Sequence, residues 1–294
     1  MKDQFQELYY KHYKKLALIP IIILLIALLT LGVHYAQTGD ILDKDVSLKG
    51  GTTATIYTST LFPNLEESLK EKFSDGDFNI RTIEEFGTNT QIGIVVEVSN
   101  IEPDELKSAL EEITGLELSS DNYSVEFIGG SLGESFYRQM AIALVLAFIF
   151  MAIVVFIAFR VAIPSVVVIF SAFADMVCTL AVLDFVGIKL STSGIAAILL
   201  LVGYSVHTDI ILTTKLLRTH EGNLFQRLIE AMKTGLTMSA ASIVALGIAY
   251  FLSGSFVLQQ MFLIIIIGLV FDIIMTYGMN AGLLIWYIKK RKLE

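Results

Sequence analysis

Three carboxylates lie inside segments otherwise apolar enough to cross a lipid bilayer: Asp175 in 161–183, Asp209 in 193–214 and Asp272 in 261–284. Placing an ionisable group near the bilayer centre costs roughly 3 to more than 10 kcal/mol. Such a residue therefore faces other helices or a wet path, and the chemistry it offers is exchange of a proton or a cation. His207 stands two positions before Asp209, and histidine is the side chain best suited to proton exchange near neutral pH.

Helical spacing sorts their neighbours. Asp175 shares a face with Ser171, Cys178 and Thr179, and Asp209 with Ser205, Leu212 and Thr213. Asp272 has Gly268 and Thr276 four residues to either side. Each carboxyl has two readings, a proton or ion carrier on a hydrated path or an interhelical hydrogen bond that only fixes packing. His207 lies roughly 200° round the helix from Asp209. If Asp209 faces the bundle interior, His207 faces a neighbouring helix or another cavity. None of the apolar segments supplies a Lys or Arg as counter-ion. Gly278 and Gly282 have the spacing of a close helix contact, and Thr237, Ser239 and Ser242 dot another span.

The elements that must position these residues follow from composition. The chain has 294 residues, 54% hydrophobic and 17% charged, with a mean hydropathy of +0.69, which describes a polytopic α-helical membrane protein. Six stretches reach the roughly 20 residues a span needs: 16–33, 139–159, 161–183, 193–214, 235–252 and 261–288. The last is over-long and should tilt or project. The first has a poor cleavage site after it and reads as an uncleaved anchor. Lys2, Lys11, Lys14, Lys15, Arg160, Lys215, Arg218, Arg227, Lys233, Lys289, Lys290, Arg291 and Lys292 fall on one side, so both termini are expected in the cytoplasm. The mixed stretch 215–233 reads as an amphipathic helix lying in the interface.

The chain divides into residues 1–36 with the first span, a hydrophilic stretch 37–138 expected outside, and a five-helix bundle 139–294. The pattern over 37–138 reads strand, helix, strand, strand, helix, strand, with a hairpin turn at Gly87-Thr88-Asn89. That order is the ferredoxin-like α+β arrangement. Its many Asp and Glu residues read as a solvated surface or as a face that meets a partner. Residues 129–133, Gly-Gly-Ser-Leu-Gly, read as a flexible entry to the second span and lack the Lys of a phosphate loop. The one cysteine excludes a disulfide framework and a thiolate metal site. With no His-Glu-x-x-His and four His in all, the chain offers no protease constellation. It is read as a non-enzyme with no cofactor, no metal and no nucleic-acid partner.

The stretch Gly203-Tyr204-Ser205-Val206-His207-Thr208-Asp209 resembles the fourth-span motif of the SecF family, the smaller half of the SecDF protein-export complex. The resemblance extends to Gly50-Gly51-Thr52 after the first span, to Gly130 and Gly133 before the second, and to Asp175, which matches the family's third-span Asp. It implies membership of the resistance-nodulation-division superfamily and pairing with a SecD-like subunit. It also implies association with the Sec translocon channel and with the exported polypeptide, and proton flow through intramembrane carboxylates that drives the outer domains. Asp175, Asp209, His207 and Asp272 are the relay candidates. The bacterial motif reads Gly-Tyr-Ser-x-Asn-Asp-Thr; here His207 replaces Asn and the Asp falls one residue later, closer to an archaeal Asp-Thr-Asp form. Asp272 matches no family motif. Two rivals stand beside this reading: a structural scaffold of the translocon, and half of a proton-coupled small-molecule or lipid transporter.

Overall fold

A computed structural model describes residues 2–73, 78–84, 90–99, 101–219, 222–253 and 255–291. The element order is α1 (Lys2–Thr38), α2 (Val46–Lys49), β1 (Gly51–Ile56), α3 (Leu65–Lys72), β2 (Phe78–Glu84), β3 (Gln91–Val98), α4 (Pro103–Thr114) and β4 (Tyr123–Ile128). It continues with α5 (Gly130–Phe159), α6 (Ala162–Val186), α7 (Thr192–Arg218), α8 (Leu224–Leu252) and α9 (Phe256–Ile274), then a π-helical turn Met275–Asn280 and α10 (Ala281–Arg291). Among the described residues six helices are long and apolar enough to cross a membrane, the sixth running from Phe256 through the π turn to Arg291.

The four strands form one antiparallel sheet in the order β2-β3-β1-β4, the ferredoxin-like topology expected from the pattern. Alternation turns Ala54, Ile56, Val96 and Val98 to one face, where Leu65, Leu69, Leu106 and Leu110 of α3 and α4 close a small core. Helix α4 starts on Pro103 and stops at Gly115, whose φ of 67° is left-handed. The expected hairpin turn at Gly87-Thr88-Asn89 lies outside the described residues.

In the bundle, α6, α7 and α9 bury their facing sides, with Ala174, Ile198, Leu201, Ile264 and Leu269 in the shared core. Helix α1 closes this core. Its Pro20 and Ala17 lie against Gly278 and Gly282, where a Cβ would come within 2.5 and 2.7 Å of them. The Gly-x-x-x-Gly spacing is thus a contact with the first helix. Helices α5 and α8 leave most of their length exposed.

Two expectations are corrected. Residues 215–233 do not form an interfacial helix. Lys215–Arg218 end α7, and α8 begins at Leu224 behind an Asn223–Gln226 capping box, which supplies a strong local start for a new helix. Nor is the stretch 129–133 a flexible entry. Gly130 and Gly133 already belong to α5, which therefore begins within the stretch 37–138. The two lie against the backbone of Lys49 and Gly50, and a Cβ on Gly133 would sit 2.7 Å from the Gly50 nitrogen. Gly50 itself has φ 87°. The glycines serve close approach, not mobility.

The sheet domain rests on the bundle through polar contacts. Leu190, in the α6–α7 loop, donates to Asp43 O and accepts from Asp45 N. Thr192 N and Oγ1 both donate to Ser47 Oγ (2.9 and 3.0 Å), which donates to Asp45 Oδ1 (2.5 Å). Arg81 on β2 pairs with Glu97 on β3 and lies 3.6 Å over the Phe256 ring at the start of α9. Burial raises the Glu97 carboxyl above its ordinary value, opposed by the Arg81 guanidinium, and burial raises Asp45 against hydrogen bonds from Ser47.

Replacing Gly133 by Val should destabilise the folded protein by about 1–3 kcal/mol through overpacking against rigid backbone, read as a lowered thermal midpoint in detergent. A carboxyl whose folded pKa is raised holds its proton to higher pH in the folded state than in the unfolded one. Stability should therefore fall as pH rises above the ordinary carboxyl range of about 4. The same melting measurement across that range should show a flatter dependence in Glu97→Gln.

Candidate functional site

Asp175 on α6, Asp209 on α7 and Asp272 on α9 come together inside the bundle, all essentially inaccessible to solvent. They are joined by hydroxyls and an amide from facing helices. Ser205 Oγ donates to Asp175 Oδ2 at 2.5 Å. Thr208 Oγ1 lies 2.9 and 3.1 Å from the two Asp272 oxygens and 2.7 Å from the Ser205 carbonyl. Thr276 Oγ1 contacts both Asp209 Oδ1 (2.8 Å) and Asp272 Oδ1 (3.2 Å). Asn280 Nδ2 donates to Asp209 Oδ1 at 2.5 Å. The chain Asp175–Ser205–Thr208–Asp272–Thr276–Asp209–Asn280 is continuous through three helices.

Local structure explains this convergence. Asp175 and Ser205 occupy the buried stripes of two apolar helices whose small neighbours allow close approach. Thr276 and Asn280 lie on the π-helical turn just after Asp272. A π turn carries one more residue than an α turn and is frequent at functional sites. Here it lets Asp272, Thr276 and Asn280 all reach inward. Beside it the Tyr277 hydroxyl fills the space over Gly235, where a Cβ would stand 1.8 Å away.

The electrostatics are one-sided. Asp175 feels both other carboxyls, and Asp209 feels Asp272; no Lys, Arg or His among the described residues acts on any of the three. The buried cation nearest in sequence to Asp209, Arg227, is engaged by the Leu216 and Thr219 carbonyls at the end of α7. Proton inventory adds a second constraint. A threonine hydroxyl carries one proton, yet Thr276 Oγ1 is within hydrogen-bond distance of two carboxyls. For both contacts to be hydrogen bonds, one carboxyl must bring a proton of its own. Ser171 stands beside Asp209, while Asp175 Oδ1, Thr213 Oγ1 and Asn280 Oδ1 are buried with no hydrogen-bond partner among the described residues. The donor set is oxygen throughout, which suits protons or hard cations rather than soft metals. No group of three His, Cys, Asp or Glu among the described residues is arranged to hold a metal.

His207 is not part of this cluster. It lies on the exposed side of α7 with Leu200 and Gly203, as the 200° offset requires. Tyr204 is half-buried, its hydroxyl 3.0 Å from Ser242 on α8. Gly50, Gly130 and Gly133 form the contact between the sheet domain and α5, and Gly51 opens β1. Sequence reasoning missed Thr208 and Asn280. Asn280 carried a signal, a lone amide four residues beyond Thr276 in an apolar run. Thr208, next to Asp209, looked like an ordinary helix residue.

Comparison with known proteins follows the same lines. Residues 107–290 match the family described as protein export membrane protein SecD/SecF, C-terminal. The protein-export membrane protein SecF of Pyrococcus furiosus is 35% identical over 293 residues, covering 99% of this chain and 97% of its own. That of Thermococcus gammatolerans is 35% identical over 94% of this chain and 85% of its own. The crystal structure of SecDF, a translocon-associated membrane protein from Thermus thermophilus, superposes with a TM-score of 0.70 at 20% identity. That match covers 94% of this chain and 38% of the solved one, so this chain spans about two fifths of it.

Thr276→Val should take a hydrogen-bond partner from the Asp209–Asp272 pair and destabilise the bundle by about 1–3 kcal/mol. Thr276→Ser, which keeps the hydroxyl, should restore most of that loss in the same thermal unfolding measurement.

Proposed function

The chain belongs to the SecF family of protein-export membrane proteins, and from that premise we propose that it is an auxiliary subunit of Sec-dependent export. In this reading it pairs with a SecD-like subunit and the translocon channel, and it spends a proton or ion gradient through Asp175, Asp272 and Asp209 to move exported chains. The single observation that carries the coupling is the Thr276 hydroxyl held between two carboxyls, with one proton to serve both. A buried array that is one proton short, with no fixed cation among the described residues, changes its hydrogen bonds whenever a proton enters or leaves. Because the array joins α6, α7 and α9, such a change acts on the relative placement of three helices.

The Lys and Arg distribution favours both termini in the cytoplasm and residues 37–138 outside. The array then lies between the two faces, and the contacts of Leu190 and Phe256 with the sheet domain stand at its outer end. The companion subunit accounts for His207. A polar ring on an exposed helix face at membrane depth is costly in lipid, whereas a second bundle packed on α7 covers it and offers it a partner. In that position His207 relays between the two subunits.

Export of a secreted reporter in cells carrying Asp175→Asn or Asp209→Asn tests the reading, with membrane level and companion association measured alongside. Asn keeps size and hydrogen bonding but cannot exchange a proton. Export should slow several-fold while the complex still assembles. Unchanged export would favour the scaffold, and loss of assembly would assign the carboxyls to packing.

A further inference from the structure

Helix α8 carries none of the three carboxyls and leaves most of its length exposed, yet it reaches the neighbours of the array at two points. At Gly235 the Tyr277 hydroxyl occupies the place of a side chain. At Ser242 the hydroxyl lies 3.0 Å from that of Tyr204. Positions 235 and 242 are two helical turns apart and share a face, with Ser239 buried between them. Each tyrosine stands directly beside an array hydroxyl in sequence. Tyr204 precedes Ser205, which donates to Asp175. Tyr277 follows Thr276, which lies between Asp209 and Asp272.

The contact at Gly235 involves one partner. A Cβ there would meet the Tyr277 hydroxyl at 1.8 Å and its ring carbon Cζ at 3.2 Å, and outside α8 nothing else among the described residues comes within 4 Å. Real Cβ contacts do not fall below 3.0 Å, so any side chain at 235 drives the hydroxyl back by more than 1 Å. The ring has no route into solvent, being 7% exposed and part of the core that holds Leu212, Leu228 and Ala231. An aromatic ring does not bend, so the displacement passes to the π turn and to Thr276 beside it. Thr276 Oγ1 serves its two carboxyls at 2.8 and 3.2 Å, and a movement of about 1 Å takes it out of reach of one of them. A glycine inside a helix also weakens that helix relative to alanine, so α8 gives up stability to leave this space open. Gly247 on the same helix meets nothing within 4 Å.

We propose that α8 is the brace that positions the carboxyl array, with Gly235 and Ser242 as positioning residues acting through Tyr277 and Tyr204, an inference that rests on the coupling reading above. Neither residue handles a proton itself. Gly235, by its missing side chain, sets how far the π turn advances toward α8 and so where Thr276 and Asn280 stand. Ser242 holds Tyr204, and with it the placement of Ser205 against Asp175. The carboxyls sit on α6, α7 and α9, and a fourth helix that braces α7 and the π turn fixes their hydroxyl partners without adding a charge to the array. Placement at this scale matters, because an error of about 1 Å can cost roughly a hundredfold in a rate that depends on aligned groups.

The test measures export of a secreted reporter per assembled complex in cells carrying Gly235→Ala, Ser242→Ala or the control Gly247→Ala. Gly235→Ala should slow export roughly tenfold and Ser242→Ala several-fold, both at unchanged assembly, and Gly247→Ala should leave export unchanged. Adding Tyr277→Phe to Gly235→Ala removes the oxygen that the new methyl group meets and should restore most of the rate. Adding Tyr204→Phe to Ser242→Ala should cost nothing more, since the contact is already gone. If Gly235→Ala fails to assemble, Ser242→Ala decides: slower export at normal assembly supports the brace, and unchanged export overturns it. Normal export in both variants, an equal loss in Gly247→Ala, no restoration by Tyr277→Phe, or assembly lost in step with export in both variants would each overturn the proposal. Asp209→Asn in the same cells separates the two readings. If it slows export while the α8 variants do not, the brace alone has failed; if it does not, the coupling reading falls as well.

Discussion

A carboxylate buried without a cation is among the most expensive groups a protein can hold, because its lost hydration must be replaced by hydrogen bonds or by a proton. Here three of them share one space, and the rest of the bundle is arranged around keeping them there. Ser205, Thr208, Thr276 and Asn280 supply donors from facing helices. Gly235 yields its side-chain space to Tyr277, and Gly278 and Gly282 let α1 close on the π turn that presents Thr276 and Asn280. An Arg or Lys in the cluster would have made a static ion network. Among the described residues none acts on the three carboxyls, so hydrogen bonds from these neighbouring side chains hold them in place.

The helix that carries Asp272 also carries the contact with the sheet domain. Phe256 under Arg81 starts α9, Gln260 one turn later accepts from Ser191 and donates to the Lys189 carbonyl, and Asp272 lies three turns further on. A helix is stiff along its axis, so a shift at Asp272 reaches Phe256 as a displacement of the whole rod. On the other flank, Gly50 and Gly133 bring backbone against backbone where β1 and α5 begin. The domain is thus seated on two rigid supports rather than hung from linkers.

Much of the fold was legible because its signals are local. The order strand, helix, strand, strand, helix, strand read over 37–138 is that of β1, α3, β2, β3, α4 and β4. Six apolar stretches announced six helices, since no soluble core needs that many residues without charge. Helix ends were less legible. The capping box at Asn223 decided that α8 starts there, and a mixed-charge segment alone looked like a separate interfacial helix.

The sequence by itself determined the kind of protein and the presence of costly groups, because membrane insertion punishes Asp175, Asp209 and Asp272 wherever the helices pack. It also determined that His207 and Asp209 face apart, since both sit on one helix of known pitch. Only the tertiary structure decided that the three carboxyls form one array, that Thr208 and Asn280 belong to it, and that the glycines near Gly130 are a contact rather than a hinge. The array depends on how residues up to 71 positions apart are brought within hydrogen-bond reach. Helix pitch says which side a residue faces; it does not say what will be packed against that side.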